Sequence, residues 1–212
     1  MIVLGLTGSI GMGKSTTARL FAEEGAWVHD ADHTVHGLYA EGGAAVGAIA
    51  EAFPSAVKQG AVDRPALAAA LAKDPAAFER LEAIVHPLVA RSRDAFVQAA
   101  AQAGAEVIVL DVPLLFETGG HQGLDAVVVV SAPDHLQRRR VLERPGMTPA
   151  RFEHLVRRQV PDREKRSRAD FVIDTSQGVD HARLQVRQIL ATVQDPAWRL
   201  RRGLAGAAEA SH

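Results

Sequence analysis

The 212-residue chain predicts an α/β fold built on a parallel sheet. Three observations point there. A short apolar run breaks into a glycine-rich loop and then an amphipathic helix. Four more short apolar runs follow, and a long alanine-rich stretch separates the second run from the third. Runs of this length suit strands rather than core helices. Their continuous, non-alternating apolar character fits strands covered on both faces.

The first run, residues 2–6 (IVLGL), leads into GSIGMGKS at 8–15, which satisfies G-x-x-x-x-G-K-[ST]. Leu20 and Phe21 then recur with helical spacing among Arg19, Glu23 and Glu24. Strand, glycine loop and helix in that order make a phosphate-binding loop. Gly8, Gly11 and Gly13 leave no side chain between peptide and ligand. Successive N–H groups can then converge on an anion at the positive end of the helix. The nucleotide-binding set is Gly8, Gly11, Met12, Gly13, Lys14, Ser15 and Thr16. Lys14 would reach the β- and γ-phosphates, and the Ser15 hydroxyl would be a Mg²⁺ ligand. A nucleoside triphosphate is the expected ligand.

Residues 26–32 (AWVHDAD) predict a second strand ending in two carboxylates. A strand so soon after the first helix implies a right-handed βαβ unit. Ligands bind outside the carboxyl ends of such strands. Asp30 or Asp32 could accept the proton of a hydroxyl attacking a γ-phosphate, or orient Mg²⁺. The plainer alternative is a helix cap plus a surface acid. His33 and His36 lack a further ligand nearby and read as non-metal.

Residues 34–104 read as largely helical, with breaks at 42–43, Pro54, Gly60, 74–75 and His86-Pro87. Asp63 should cap a helix that has Pro65 in its first turn. So long an insertion suggests a separate lobe for a second substrate. On these residues alone, His86 reads as no more than a cap or filler at a helix bend.

A third strand at 106–110 (EVIVL) runs into Asp111, which suits either a magnesium-associated acid or a loop cap. The fourth and fifth strands fall at 125–130 (DAVVVV) and 171–173 (FVI). Between them, residues 138–168 hold eleven Arg and Lys against four acids, an excess of seven in a chain of net charge −1. Phosphoryl transfer needs cations that close over the phosphates, and the arginine fork suits them. Nucleic-acid binding would call for interleaved aromatics, and Phe152 stands alone there. A lid is the expectation. Residues 179–193 predict a closing amphipathic helix, and the last ten or so residues are expected to be mobile.

Composition narrows the setting. Apolar residues make up 47% of the chain, enough for a substantial core. The near-neutral charge gives no general pull toward nucleic acid or anionic membranes. With no cysteines, disulfides and thiol-bound metals are excluded and an intracellular setting is favoured. The apolar start lacks the basic flank of a signal peptide, and no stretch reaches a membrane span. A cytoplasmic monomer is expected, with neither nucleic acid nor membrane as partner.

The phosphate loop occurs together with Asp30-Ala31-Asp32, His86-Pro87, VPLLFE at 112–117 and ADFVID at 169–174. In that order and spacing the chain resembles the dephospho-coenzyme A kinase family, from its first residue to about residue 194. The resemblance implies phosphorylation of the ribose 3′-hydroxyl of dephospho-coenzyme A by ATP, the last step of coenzyme A biosynthesis. It implies a P-loop NTPase with a five-stranded parallel core (1–33, 105–135 and 169–194). A helical substrate lobe (34–104), a helical lid (136–168) and a tail (195–212) complete it. Asp32 would be the catalytic base with Asp30 in support. His86, Pro113, Leu114, Leu115 and Glu117 would face the substrate. Arg140 and Arg144 match lid arginines that meet ATP, with Arg140 and Lys14 at the chemistry, and Ser15 and Asp111 beside the metal. Ser9 and Met12 stand where the family often has glycine and serine. Another small-molecule kinase of the same architecture is the alternative. A guanine switch would need N-K-x-D, which is absent.

Overall fold

The computed structural model describes residues 1–203, so the expectation of a mobile end falls on residues outside that span. The chain divides into two compact units, residues 1–29 with 100–212 and residues 30–99.

The first unit is built on a five-stranded parallel sheet. Its strands are β1 (Ile2–Thr7), β2 (Trp27–Asp30), β5 (Val107–Asp111), β6 (Ala126–Ser131) and β7 (Phe171–Asp174), in the order β2-β5-β1-β6-β7. In register, Leu6 lies beside Asp111 on one side and Val128 on the other. Alternate residues of β6 divide between two apolar clusters. Ala126, Val128 and Val130 join α1 (Lys14–Glu23) and α9 (Val179–Gln194), whose Leu20, Phe21, Val186 and Val193 are buried. Val127 and Val129 join Leu115 and Phe116. Period-two alternation sends neighbours to opposite faces, so both faces are covered.

Carboxylates finish the strand starts. Asp125 Oδ2 accepts from Val3 N at 2.7 Å, and Asp170 Oδ2 accepts from Val127 N at 2.7 Å. Between α1 and α9, Glu24 takes Arg183 and Arg187. The Arg187 hydrogen bond, then that of Arg183, holds its carboxyl below the usual range. Past α9 the chain continues as α10 (Pro196–Arg201), capped by Asp195. Trp198 stacks on Phe171, and Arg202 reaches Asp170 Oδ1 at 2.6 Å, so this part of the tail is docked.

The second unit consists of α2 (Ala31–Tyr39), α3 (Val46–Ala52), a 3₁₀ turn at Pro54–Ala56, a two-stranded hairpin, α4 (Arg64–Leu71) and most of α5 (Ala77–Gln102). The hairpin pairs β3 (Val57–Lys58) with β4 (Ala61–Val62), strands too short for a sequence pattern to reveal. Its core is Ala45, Ile49, Phe53, Ala56, Val62, Leu67 and Ala77. Asp63 caps α4 by accepting from Ala66 N at 2.9 Å, as its place before Arg64-Pro65 predicts.

Two local expectations are corrected. The second strand stops at Asp30 instead of running to Asp32, because the Asp30 side chain accepts from His33 N and starts α2. The helix does not break at Pro87, because α5 runs through it. An internal proline costs about 3 kcal/mol. Leu81, Ile84 and Leu88 of the same helix pack against the apolar cluster of this unit, and Val85 is buried. Apolar burial, about 1.5–3 kcal/mol for a fully buried side chain and less for a partly buried one, offsets the lost bond when summed over these four.

Candidate active site

The glycine loop spans the gap between β1 and α1. Gly13 caps α1 with φ +97°, and Gly11 has φ +79°. Both lie in the left-handed region that glycine alone enters without strain. At Gly8 the demand is close approach, since a Cβ there would lie 2.7 Å from the Val130 carbonyl oxygen. Ser15 is exposed in the first turn of α1, while Thr16 is half-buried. Met12 faces the other way. Its side chain is 1% exposed in the main core, and its sulfur accepts from Ala132 N. Its own N–H closes a turn onto Ser9 O at 3.1 Å.

Lys14 Nζ sits 2.6 Å from Asp111 Oδ1, with the acid almost wholly buried at the carboxyl end of β5. Asp111 therefore fixes the ammonium group, a partnership between residues 97 positions apart that neither sequence alternative anticipated. Thr7 Oγ1 donates to Pro113 O at 3.2 Å and ties the start of the VPLLFE segment to β1.

That segment divides its side chains. Leu114 is exposed, Pro113 is half-buried, and Leu115 (1% exposed) and Phe116 belong to the core. Glu117, expected to face substrate, turns inward. Its Oε1 accepts from Val160 N at 2.8 Å and pairs with Lys165 Nζ at 2.9 Å, the lysine being fully buried. Burial pushes the Glu117 carboxyl up, but Lys165 and the Val160 N–H outweigh it and leave it below the usual range. A buried ammonium demands such a partner, so Glu117 fastens the arginine-rich segment to this loop.

The arginine-rich stretch forms α6 (Asp134–Leu142), α7 (Pro149–Arg157) and α8 (Asp162–Ser167). Its cations divide by task. Arg138 lies over Phe152 and Arg168 over Phe116. Arg140 donates to Thr175 Oγ1 at 2.9 Å and Thr175 O at 2.8 Å, with a longer reach of 3.5 Å to Gly11 O. Arg144, just beyond α6, is exposed. Arg163 and Arg166 line a cavity of about 560 Å³ together with Ser9, Gln137 and Asp162.

Asp30 and Asp32 are both exposed, Asp30 as the cap of α2 and Asp32 in its first turn. His86 is exposed on α5. Thr175, Gln137 and Gln159, which touch the loop or its neighbours, were not singled out from sequence. The chain holds them at separations of 127 to 163 residues from their loop partners. The one available signal was Thr175's position directly after the ADFVID run.

A preorganised anion cradle with a fixed lysine at the carboxyl edge of a parallel sheet defines a phosphate-loop phosphotransferase. The dephospho-CoA kinase family model matches residues 2–181. The dephospho-CoA kinase of Rhodopseudomonas palustris is 56% identical over 190 residues, 90% of this chain and 94% of that protein. That of Nitrobacter winogradskyi is 57% identical over 191 residues, 90% and 95% of the two chains. Among solved structures, TT1252 from Thermus thermophilus superimposes with TM-score 0.72 at 34% identity, covering 90% of this chain and 96% of its own. The dephospho-CoA kinase from Campylobacter jejuni shares the fold, with TM-score 0.67 at 23% identity over 91% of this chain and 96% of that one. The chain is a kinase and belongs to the dephospho-CoA kinase family.

Proposed function

We propose that this chain transfers the γ-phosphoryl group of ATP to the ribose 3′-hydroxyl of dephospho-CoA, giving coenzyme A and ADP in the last step of coenzyme A biosynthesis. One observation carries the reading. A built phosphate loop, with Lys14 held on Asp111 at 2.6 Å, lies in a chain whose family match runs from residue 2 to 181.

The ATP phosphates rest on N–H groups of the glycine loop, those of Gly11 and Gly13 among them, with Lys14 against the β- and γ-oxygens. The acceptor draws its contacts from Asp30, Asp32 and His86, and from the exposed side of Pro113 and Leu114. As the 3′-oxygen bonds to the γ-phosphorus, Asp32 receives its proton and the bond to the β–γ bridging oxygen breaks, releasing ADP. Arg140 and Arg144 offset the charge on the transferring group, and closure of the lid keeps water from taking the acceptor's place. The Ser15 hydroxyl, exposed at the helix start, fits a hard cation that keeps phosphate and water as its other ligands. Ser15 would hold Mg²⁺, which neutralises phosphate charge when bound, while Asp111 stays engaged with Lys14. No described helix is long and apolar enough to cross a membrane. The enzyme works as a cytoplasmic monomer, where ATP is supplied.

ADP release measured with ATP·Mg²⁺ and a panel of acceptors tests this. Strong stimulation by dephospho-CoA, and none by AMP, shikimate or gluconate, is expected. Stimulation by another acceptor alone would overturn the substrate assignment.

A further inference from the structure

Three consecutive carbonyls of the phosphate loop are held from behind by side chains outside it. Gln137 Nε2 donates to Ile10 O at 2.8 Å. Arg140 reaches Gly11 O, and Thr175 Oγ1 donates to Met12 O at 2.7 Å. A trans peptide is planar, so each carbonyl and the following N–H point in opposite directions. Anchoring the Ile10 and Met12 carbonyls outward therefore turns the N–H groups of Gly11 and Gly13 the other way. Among the described residues, neither of these N–H groups has a protein acceptor.

Thr175 suits this task for a definite reason. Arg140 can only donate and a carbonyl can only accept, so the threonine hydroxyl takes the arginine's hydrogen and sends its own proton to Met12 O at 2.7 Å, with Ser131 O farther away at 3.4 Å. Its backbone is fixed as well, since Thr175 N donates to Ser131 O at 3.0 Å where β6 ends. Thr175 and Gln137 are 8% and 6% exposed, so water does not compete for these bonds.

We propose that Gln137 and Thr175 are positioning residues that aim the N–H groups of the phosphate loop by holding its carbonyls, a claim that rests on reading this loop as the cradle for ATP phosphates. They touch the loop backbone rather than the nucleotide, and they act by removing the reorganisation the loop would otherwise undergo on binding.

The test measures ATP·Mg²⁺ affinity by calorimetry, steady-state KM for each substrate, and thermal midpoint, for Thr175→Val, Thr175→Ser and Gln137→Met. Thr175→Val keeps the shape but strands the Met12 carbonyl. It should weaken ATP and raise its KM by about tenfold, as expected for an unmatched buried acceptor. KM for dephospho-CoA should stay put. Thr175→Ser should restore ATP binding, and Gln137→Met should weaken it several-fold. Unchanged ATP affinity in both Thr175→Val and Gln137→Met would overturn the proposal. So would a loss in Thr175→Val that serine does not rescue, or a parallel rise in both KM values with a lowered thermal midpoint. If the unaltered protein binds no ATP, the cradle reading itself fails, an outcome separate from these.

Discussion

The two units of the chain both have apolar cores but differ in the polar groups buried within them. All the buried polar side chains identified, Thr7, Ser9, Thr17, His29, Asp111, Ser131, Gln137, Lys165 and Thr175, lie in the phosphate-handling unit. The helical unit is held by an apolar cluster around Ile49, Phe53 and Leu67, and its chemistry-bearing side chains, Asp30, Asp32 and His86, are exposed. Directional hydrogen bonds inside a low-dielectric core fix geometry, whereas apolar burial is non-directional. On the function proposed above, one unit is set in advance for a ligand part common to many reactions, three phosphates. The other would present polar groups at its surface to the acceptor that distinguishes this reaction.

The largest effect that could break this comparison is Asp32→Asn. Loss of a general base costs roughly 10²–10⁴-fold in turnover. The variant should show that loss in kcat while ATP affinity stays near that of the unaltered protein. A matching loss of ATP affinity would move Asp32 to the phosphate side and erase the division of labour.

A pair of glycine substitutions sharpens the contrast at smaller magnitude. At Gly11 a Cβ would lie 2.4 Å from Val141 Cγ2, on top of the positive φ, so Gly11→Ala should lower stability by about 1–3 kcal/mol. At Gly47 in α3 nothing lies within 4 Å of the added atom. Gly47→Ala should therefore raise stability by about 0.5 kcal/mol through helix propensity. Denaturant titration reads both, and equal tolerance at the two sites would contradict the reading that the phosphate loop is tightly set at Gly11.

The legible parts of the molecule were those written in contiguous residues. The order β1, loop, α1 follows from Gly8 to Ser15, and the five strands from apolar runs that both sheet faces demand. The capped start of α4 was readable from Asp63 and Pro65. Bonds across the fold were not legible. Nothing in spacing tells that Asp111 meets Lys14, that Glu117 turns toward Lys165, or that Leu115 faces the core while Leu114 next to it is exposed. Asp30 illustrates competition between rules: an acid after an apolar run fits both a strand end and a helix cap, and the cap prevailed. Pro87 shows tertiary packing overriding a local breaker. The helix after residue 195 carried a signal that went unused, since Asp195-Pro196 is itself a cap followed by proline.

The most direct test of the central claim is to identify where the phosphate goes. Protein, ATP·Mg²⁺ and dephospho-CoA are incubated, and the product is examined by phosphorus NMR with coupling to the ribose protons. A single new phosphomonoester coupled to the 3′ proton, formed in step with ADP, is the expected result. A phosphate on any other hydroxyl, or ADP without a phosphorylated acceptor, would contradict the account.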